Sequence, residues 1–204
     1  MSANRFLFVV GGARSGKSRF AQQTAQSLGQ AVTFVATATA GDADMAARIQ
    51  RHRADRPAHW NVIEAPTALS HAVAKIEVTS VVIVDCLTMW SANRMLGDGL
   101  DPEIEAEAEA LARQLSRRDG PSIVVSNEVG LSVHPATELG RRYQDLLGRV
   151  NQIMAAHAGR SLFLVAGRAL ELNDPHLLAA HWLSGSAADR PAADRPPADG
   201  PPPS

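Results

Sequence analysis

Eight residues near the amino terminus, Gly11-Gly12-Ala13-Arg14-Ser15-Gly16-Lys17-Ser18, fit the pattern G-x-x-x-x-G-K-[ST]. Glycines in such a loop let backbone N–H groups turn inward around an anionic phosphate, and a helix starting there adds its partial positive charge. Lys17 then reaches the β and γ phosphates of a nucleoside triphosphate, and Ser18 offers its hydroxyl to Mg²⁺. The chain has only two lysines, Lys17 and Lys75, so ordinary residue usage makes a chance match rare, on the order of one in a thousand or lower. Ala13 follows the second glycine, so no G-x-G is present and a dinucleotide fingerprint is the poorer fit. A second metal-organising carboxylate is needed at the end of a buried strand, and Asp85, closing Val81-Val82-Ile83-Val84-Asp85, supplies one. The alternative for Asp85 is a cap on the following turn.

A second cluster is basic. In Asp44 to Arg56, DMAARIQRHRADR, the residues Arg48, His52 and Arg56 recur every four positions and share a helical face, with Arg51 and Arg53 beside the imidazole. A solvated basic face is the plain interpretation. Neighbouring guanidinium groups also disfavour the imidazolium, however, keeping His52 neutral, and they can hold phosphate oxygens bidentately. A neutral imidazole beside a bound triphosphate can attack phosphorus covalently.

Short apolar runs alternating with helical segments position these groups. Strands are expected at Phe6 to Val10, Val32 to Ala36, Val81 to Asp85, Ser122 to Ser126 and Ser161 to Ala166, with a weaker one at Asn61 to Glu64 and an edge at Leu170 to Leu172. Helices are expected at Lys17 to Leu28, Ala43 to Asp55, Ala68 to Lys75, Pro102 to Arg118 and Glu138 to His157. In the fourth, Asp101 is the expected cap, Pro102 the first helical residue and Gly120 the stop. The alternation implies an α/β fold with a mostly parallel central sheet, helices on both faces, and a ligand site beyond the carboxyl ends of the strands.

The chain has 204 residues, 45% hydrophobic and 20% charged, with a formal net charge of −1. That composition suits a soluble globular domain and gives a general nucleic-acid binder no excess positive field. No apolar run is long enough to span a bilayer. Phe6 to Val10 is too short for an export signal, which makes the cytoplasm the expected compartment. The single cysteine, Cys86, excludes an internal disulfide and reads as a small buried hydrophobe. Trp60, Trp90 and Tyr143 read as packing residues, and His134, His157, His176 and His181 suggest no zinc site. The segment 186–204 repeats AADRP, contains six of the twelve prolines and has no large apolar residue, so a disordered tail is expected after a domain at 1–185.

Taken together, GGARSGKSRFA, FVATATAGDADMAARIQRHRADRPAHW, VVIVDCLTMW, and VSNEVGLSVHP with GRRYQDLLGRVNQ resemble the bifunctional adenosylcobinamide kinase and adenosylcobinamide-phosphate guanylyltransferase family, over roughly Phe6 to Leu172. The resemblance implies a RecA-like P-loop fold and a homotrimer with sites near subunit boundaries. It implies two activities using GTP and ATP with Mg²⁺: phosphorylation of adenosylcobinamide, then transfer of GMP from GTP through a histidine. His52 looks like the guanylylated residue. The positions resembling the family's GTP site are Gly11, Gly12, Ala13, Arg14, Ser15, Gly16, Lys17 and Ser18, Thr37, Ala38 and Thr39, Arg53, Ala54, Asp55 and Arg56, Glu64, and Asp85. Ser18 and Asp85 would hold the metal. Asn127 and Glu128, in the family-like SNEVG stretch, are either a substrate loop or a plain turn. A P-loop small-molecule kinase without nucleotidyl transfer is the first alternative. A regulatory nucleotide-binding module is the second, although no guanine-specifying loop of the switch GTPase type is present.

Overall fold

Strands that are apolar on both faces need cover on both sides, and the sheet supplies the pairing that their backbones require. The computed structural model describes residues 4–40, 43–54 and 56–183; the side chains of Asp44, Met45, Arg48, His52 and His181 are not among what it describes. Its strands are β1 (Phe6–Gly11), β2 (Val32–Ala36), β3 (Asn61–Glu64), β4 (Val81–Asp85), β5 (Ser122–Asn127), β6 (Arg160–Val165) and β7 (Arg168–Leu172). They form one sheet in the order β3-β2-β4-β5-β1-β6-β7. All neighbours are parallel except β6 and β7, an antiparallel hairpin at one edge. The helices are α1 (Lys17–Ser27), α2 (Ala43–Ala54), α3 (Leu69–Ala74), α4 (Leu87–Leu96), α5 (Asp101–Ser116), α6 (Glu138–His157) and α7 (Pro175–Leu183). This is the α/β architecture expected from the sequence, a mostly parallel central sheet with helices on both faces.

Period-two alternation divides the strand residues between two cores. Phe6, Phe8, Val82, Val84 and Val124 face α3, α4, α5 and α6, where Leu69, Trp90, Leu111 and Leu146 are fully buried. Val9, Phe34, Ile83, Ile123 and Val125 face the other way, with Ala21 and Ala25 of α1 and with Trp60. Each fully buried large side chain contributes about 1.5–3 kcal/mol. Trp60 and Trp90 are core residues, the packing role expected of them, and the Trp90 indole Nε1–H donates to Thr67 O at 2.7 Å. Tyr143 packs partly against the first core and donates its hydroxyl to Thr88 O at 3.0 Å. Residues 173–183 belong to a second unit, in which α7 exposes Leu177, Leu178, Trp182 and Leu183. The expected tail at 186–204 lies outside the described residues.

Two helix-end expectations change. Leu100, not Asp101, occupies the N-cap of α5, and the Leu100 N–H donates to the Glu103 carboxylate at 3.4 Å. Asp101 is drawn instead to α6, accepting from Arg142 at 2.8 Å and Arg149 at 3.0 Å. Gly120 does not stop α5, which ends at Ser116 with Arg117 as its C-cap. A Cβ on Gly120 would stand 2.3 Å from Ser80 O, so close backbone approach requires glycine there. Helix α4 was not expected at all: its N-cap, Cys86, makes no side-chain cap bond and its first turn has no acidic residue.

Candidate active site

Because β1 to β5 run parallel, the segments that follow them meet along one edge of the sheet. The loop after β1 is the P-loop. Gly11 is fixed by packing, since a Cβ there would lie 2.2 Å from Leu164 O of β6. Gly16, at φ 100°, turns the chain into α1, whose first turn has neither a side-chain cap nor an acidic residue. That leaves the helix's positive end facing the loop's interior. Lys17 is only 7% exposed, and its Nζ donates to Gly12 O at 2.6 Å and to Ser15 Oγ at 3.4 Å. Ser18 is half-buried one residue on, while Ala13 and Arg14 are exposed.

Both neighbouring strands brace the loop. The Glu128 N–H, just past β5, donates to Gly11 O at 3.0 Å, and the Gly167 N–H, in the β6–β7 turn, donates to Ser15 O at 3.0 Å. That turn is the two-residue Ala166-Gly167, both with positive φ, between the paired Val165 and Arg168.

Beyond β2, Thr37 is fully buried and clamps two strand ends together. Its N–H donates to Asp85 O at 3.3 Å, its Oγ1 donates to Cys86 O at 2.7 Å, and the Cys86 N–H donates back to that oxygen at 2.8 Å. Asn93 of α4 organises the next layer. Its Nδ2 donates to Thr37 O at 2.9 Å and Pro66 O at 3.0 Å, and its Oδ1 accepts from Thr39 Oγ1 at 3.2 Å. Sequence reasoning missed Asn93 because it lies in the unexpected helix. An amide a few residues beyond the strand-end Asp85 was the one available signal.

Charged groups collect beyond β3 and β4. Arg53 pairs with Glu64, and the Arg56 guanidinium lies 4.5 Å from the ring centroid of buried Phe34. Burial, followed by the nearby Arg53 charge, lowers the Arg56 pKa, while Asp85 and Glu64 act in the opposite sense. Asp85 is half-buried and is not the cap of α4, a place taken by Cys86. Burial, then the Asp85 charge, pushes the Cys86 thiol up to about 11, with Lys17 as a counteracting positive charge. The Asp85 charge is therefore felt at both Arg56 and Cys86, and that of Lys17 at Cys86. Ala38 and Thr39 belong to the segment held by Asn93. Ala54 ends α2. His52 falls on α2 two residues earlier; its side chain, that of Arg48, and Asp55 entirely lie outside the described residues.

Asn127 and Glu128 do not form a free turn. The Asn127 N–H donates to Thr88 Oγ1 at 2.8 Å, its carbonyl accepts from Asn151 Nδ2 at 3.0 Å, and Glu128 Oε1 accepts from the Gly130 N–H at 2.5 Å. His134 and His176 are exposed, and His157 bonds Glu109 at 2.8 Å.

A glycine loop between a buried strand and an uncapped helix, with a buried lysine and a strand-end aspartate beside it, defines a P-loop nucleotide-binding protein. Residues 7–172 match the model of the cobinamide kinase / cobinamide phosphate guanyltransferase family, and the chain belongs to that family. It is 46% identical over 166 residues to the bifunctional adenosylcobalamin biosynthesis protein CobP of Pseudomonas aeruginosa, covering 80% of this chain and 95% of that one. It is 36% identical over 174 residues to the bifunctional adenosylcobalamin biosynthesis protein CobU of Escherichia coli, covering 79% and 96%. The crystal structure of the RadB recombinase aligns with 79% of this chain and 74% of its own at 18% identity and a TM-score of 0.46. No helix among the described residues is long and apolar enough to cross a membrane.

Proposed function

We propose that this chain phosphorylates adenosylcobinamide with a nucleoside triphosphate and then, through a His52–GMP intermediate, transfers GMP from GTP to the new phosphate, giving adenosylcobinamide-GDP. The observation that carries this reading is the P-loop turned around buried Lys17, with half-buried Asp85 ending β4 along the same edge of the sheet. Phosphoryl transfer is chiefly positioning and charge neutralisation, so one set of cations can serve transfer at either phosphorus. The Gly11–Ser18 backbone and Lys17 hold the β and γ phosphates. Thr37 to Thr39, Arg53 to Arg56 and Glu64 line the remainder of the nucleotide.

The donor set fits Mg²⁺. Ser18 and Asp85 offer hard oxygens, and no cluster of three or more His, Cys, Asp or Glu side chains among the described residues forms an all-protein cage. Magnesium is commonly bound by one or two protein oxygens together with substrate phosphates. When bound, it neutralises charge developing on the phosphate oxygens. In the first reaction the acceptor hydroxyl attacks the γ phosphorus and the bond to the β-phosphate oxygen breaks. In the second, a ring nitrogen of His52 bonds to the α phosphorus as pyrophosphate departs; the phosphate of the acceptor then attacks and the N–P bond breaks. A cytoplasmic homotrimer is the assembly that this reading implies.

The test uses GTP labelled at the α or the γ phosphorus. After denaturation, α label and no γ label stays on the protein, is released by acid, and is absent from His52→Ala. A protein that retains no α label sinks the guanylyl-transfer step. Lys17→Ala abolishes γ transfer to cobinamide, and undiminished phosphorylation in that variant would show that the loop is not the phosphate site.

A further inference from the structure

The loop following β5 and the outer side of α6 enclose a groove of about 480 Å³ to which none of the roles above has been given. Ser132 and His134 line it from the loop, and Gln144, Asp145, Arg149 and Gln152 line it from α6. Gln144, Gly148 and Gln152 recur every four residues and so form one line along the helix. Gly148 lines the groove between the two glutamines, and a Cβ built on it meets nothing within 4 Å. Its φ lies outside the left-handed region, so neither backbone conformation nor packing among the described residues calls for glycine. A glycine inside a helix nevertheless weakens the fold relative to alanine. That cost is accounted for when a ligand lies close against the helix backbone.

The loop beside the groove exposes Leu131 by 81% and Val133 by 92%. It is tied down on both sides: Glu128 N–H bonds Gly11 O in the P-loop, and Gln144 Nε2 donates to Val129 O at 2.9 Å. The groove therefore starts two residues from a direct contact with the phosphate loop. It is poorly suited to a second anion, because the Arg149 guanidinium already donates to Glu105 at 2.5 Å and to Asp101 at 3.0 Å, and Asp145 adds negative charge.

We propose that this groove seats the corrinoid acceptor, an apolar macrocycle rimmed with carboxamides. The proposal rests on the kinase and guanylyltransferase reading above. Gln144, Gln152, Ser132 and His134 exchange hydrogen bonds with the peripheral amides. Leu131 and Val133 cover apolar macrocycle surface, and Gly148 lets the rim approach the helix. The acceptor arm then extends along the end of β5 toward Gly11.

Equilibrium dialysis of the full chain against cobinamide, followed by its visible absorbance, tests the assignment, with GTP binding and α-label uptake measured in parallel. Gly148→Gln weakens cobinamide binding roughly tenfold or more, which is over one power of ten in Kd, and leaves GTP binding unchanged. Gly148→Ala melts about 1–4 °C higher, binds GTP normally, and still binds cobinamide more weakly than the natural chain. Undiminished cobinamide affinity in both variants overturns the proposal. So does an altered sedimentation coefficient in Gly148→Gln with corrinoid affinity retained, which assigns the groove to contact with a second copy of the chain. A natural chain that takes α label but binds no cobinamide removes the groove assignment and leaves the nucleotide chemistry standing. Gly148-dependent cobinamide binding without any label uptake does the reverse.

Discussion

Replacing Asn93 separates what holds the candidate site together from what merely lies beside it. The side chain makes three hydrogen bonds, two as donor to the Thr37 and Pro66 carbonyls and one as acceptor from Thr39. At roughly 1 kcal/mol net for each, less a discount for partial exposure, Asn93→Ala costs about 2–3 kcal/mol. In a chain of this size that corresponds to a fall in Tm of about 4–12 °C. Asn93→Asp is the sharper variant. Counting contacts alone would make it milder than alanine, because it keeps the shape and the bond from Thr39. The geometry says the reverse, since a carboxylate would face two carbonyl oxygens with no proton to donate and leave both unsatisfied. The aspartate variant is therefore less stable than the alanine variant by about 1–3 kcal/mol near pH 8. Its folded-state pKa is raised above the unfolded value of about 3.9, so the defect shrinks as pH falls and more of the side chain is protonated. Urea unfolding of the three proteins near pH 8 and pH 5 reads both effects. Well below their melting temperatures both variants show a raised KM for GTP in α-label uptake, because Thr37 to Thr39 are no longer held. An aspartate variant as stable as the natural chain would refute the reasoning.

Gly11→Ala drives a Cβ to within 2.2 Å of Leu164 O and lowers Tm, whereas Gly12→Ala meets nothing within 4 Å and melts as the natural chain does; thermal unfolding compares them. The Cys86 thiol, pushed up to about 11 by burial and the Asp85 charge, is about one part in a thousand thiolate near pH 8. It reacts with iodoacetamide on the order of a hundredfold more slowly than the thiol of the urea-unfolded chain, as timed labelling shows. Hydrogen bonds from His157 and Arg113 hold the Glu109 carboxyl below the usual carboxylate range. A depressed folded-state pKa contributes stability above the unfolded value that disappears as pH falls through the folded one. The Tm advantage over Glu109→Gln is accordingly present near pH 7 and shrinks as pH falls below the usual carboxylate range.

The residues that sequence reveals best are those whose role is local. The P-loop needs a strand before it, glycines within it and a helix after it, all contained in Phe6 to Ser27. Five of the six parallel strands are legible for a similar reason, because each is a nearly unbroken apolar run of the kind that a sheet covered on two faces requires. Even β3, mostly exposed along its length, has the expected ends at Asn61 and Glu64. Helix α4 has no such local marker. It follows β4 after a single residue, without a capping side chain, and TMWSANRML mixes weak helix formers with core residues.

Asn93 shows why that omission affects the site as well as the fold. Its partners are 56, 27 and 54 positions away in the chain, so its importance exists only after β2, β3 and β4 have been placed side by side. The same holds for Asp101, whose type and position before Pro102 fit a cap, yet whose carboxylate is drawn to Arg142 and Arg149 across the α5–α6 interface. Two charge-assisted hydrogen bonds there outweigh the single cap bond that Asp101 could accept at the N-cap. Gly148 is the converse case. Helix propensity argues against glycine there and the described residues leave room for a side chain, so the proposed contact with a ligand beside the helix is what would give that glycine a role.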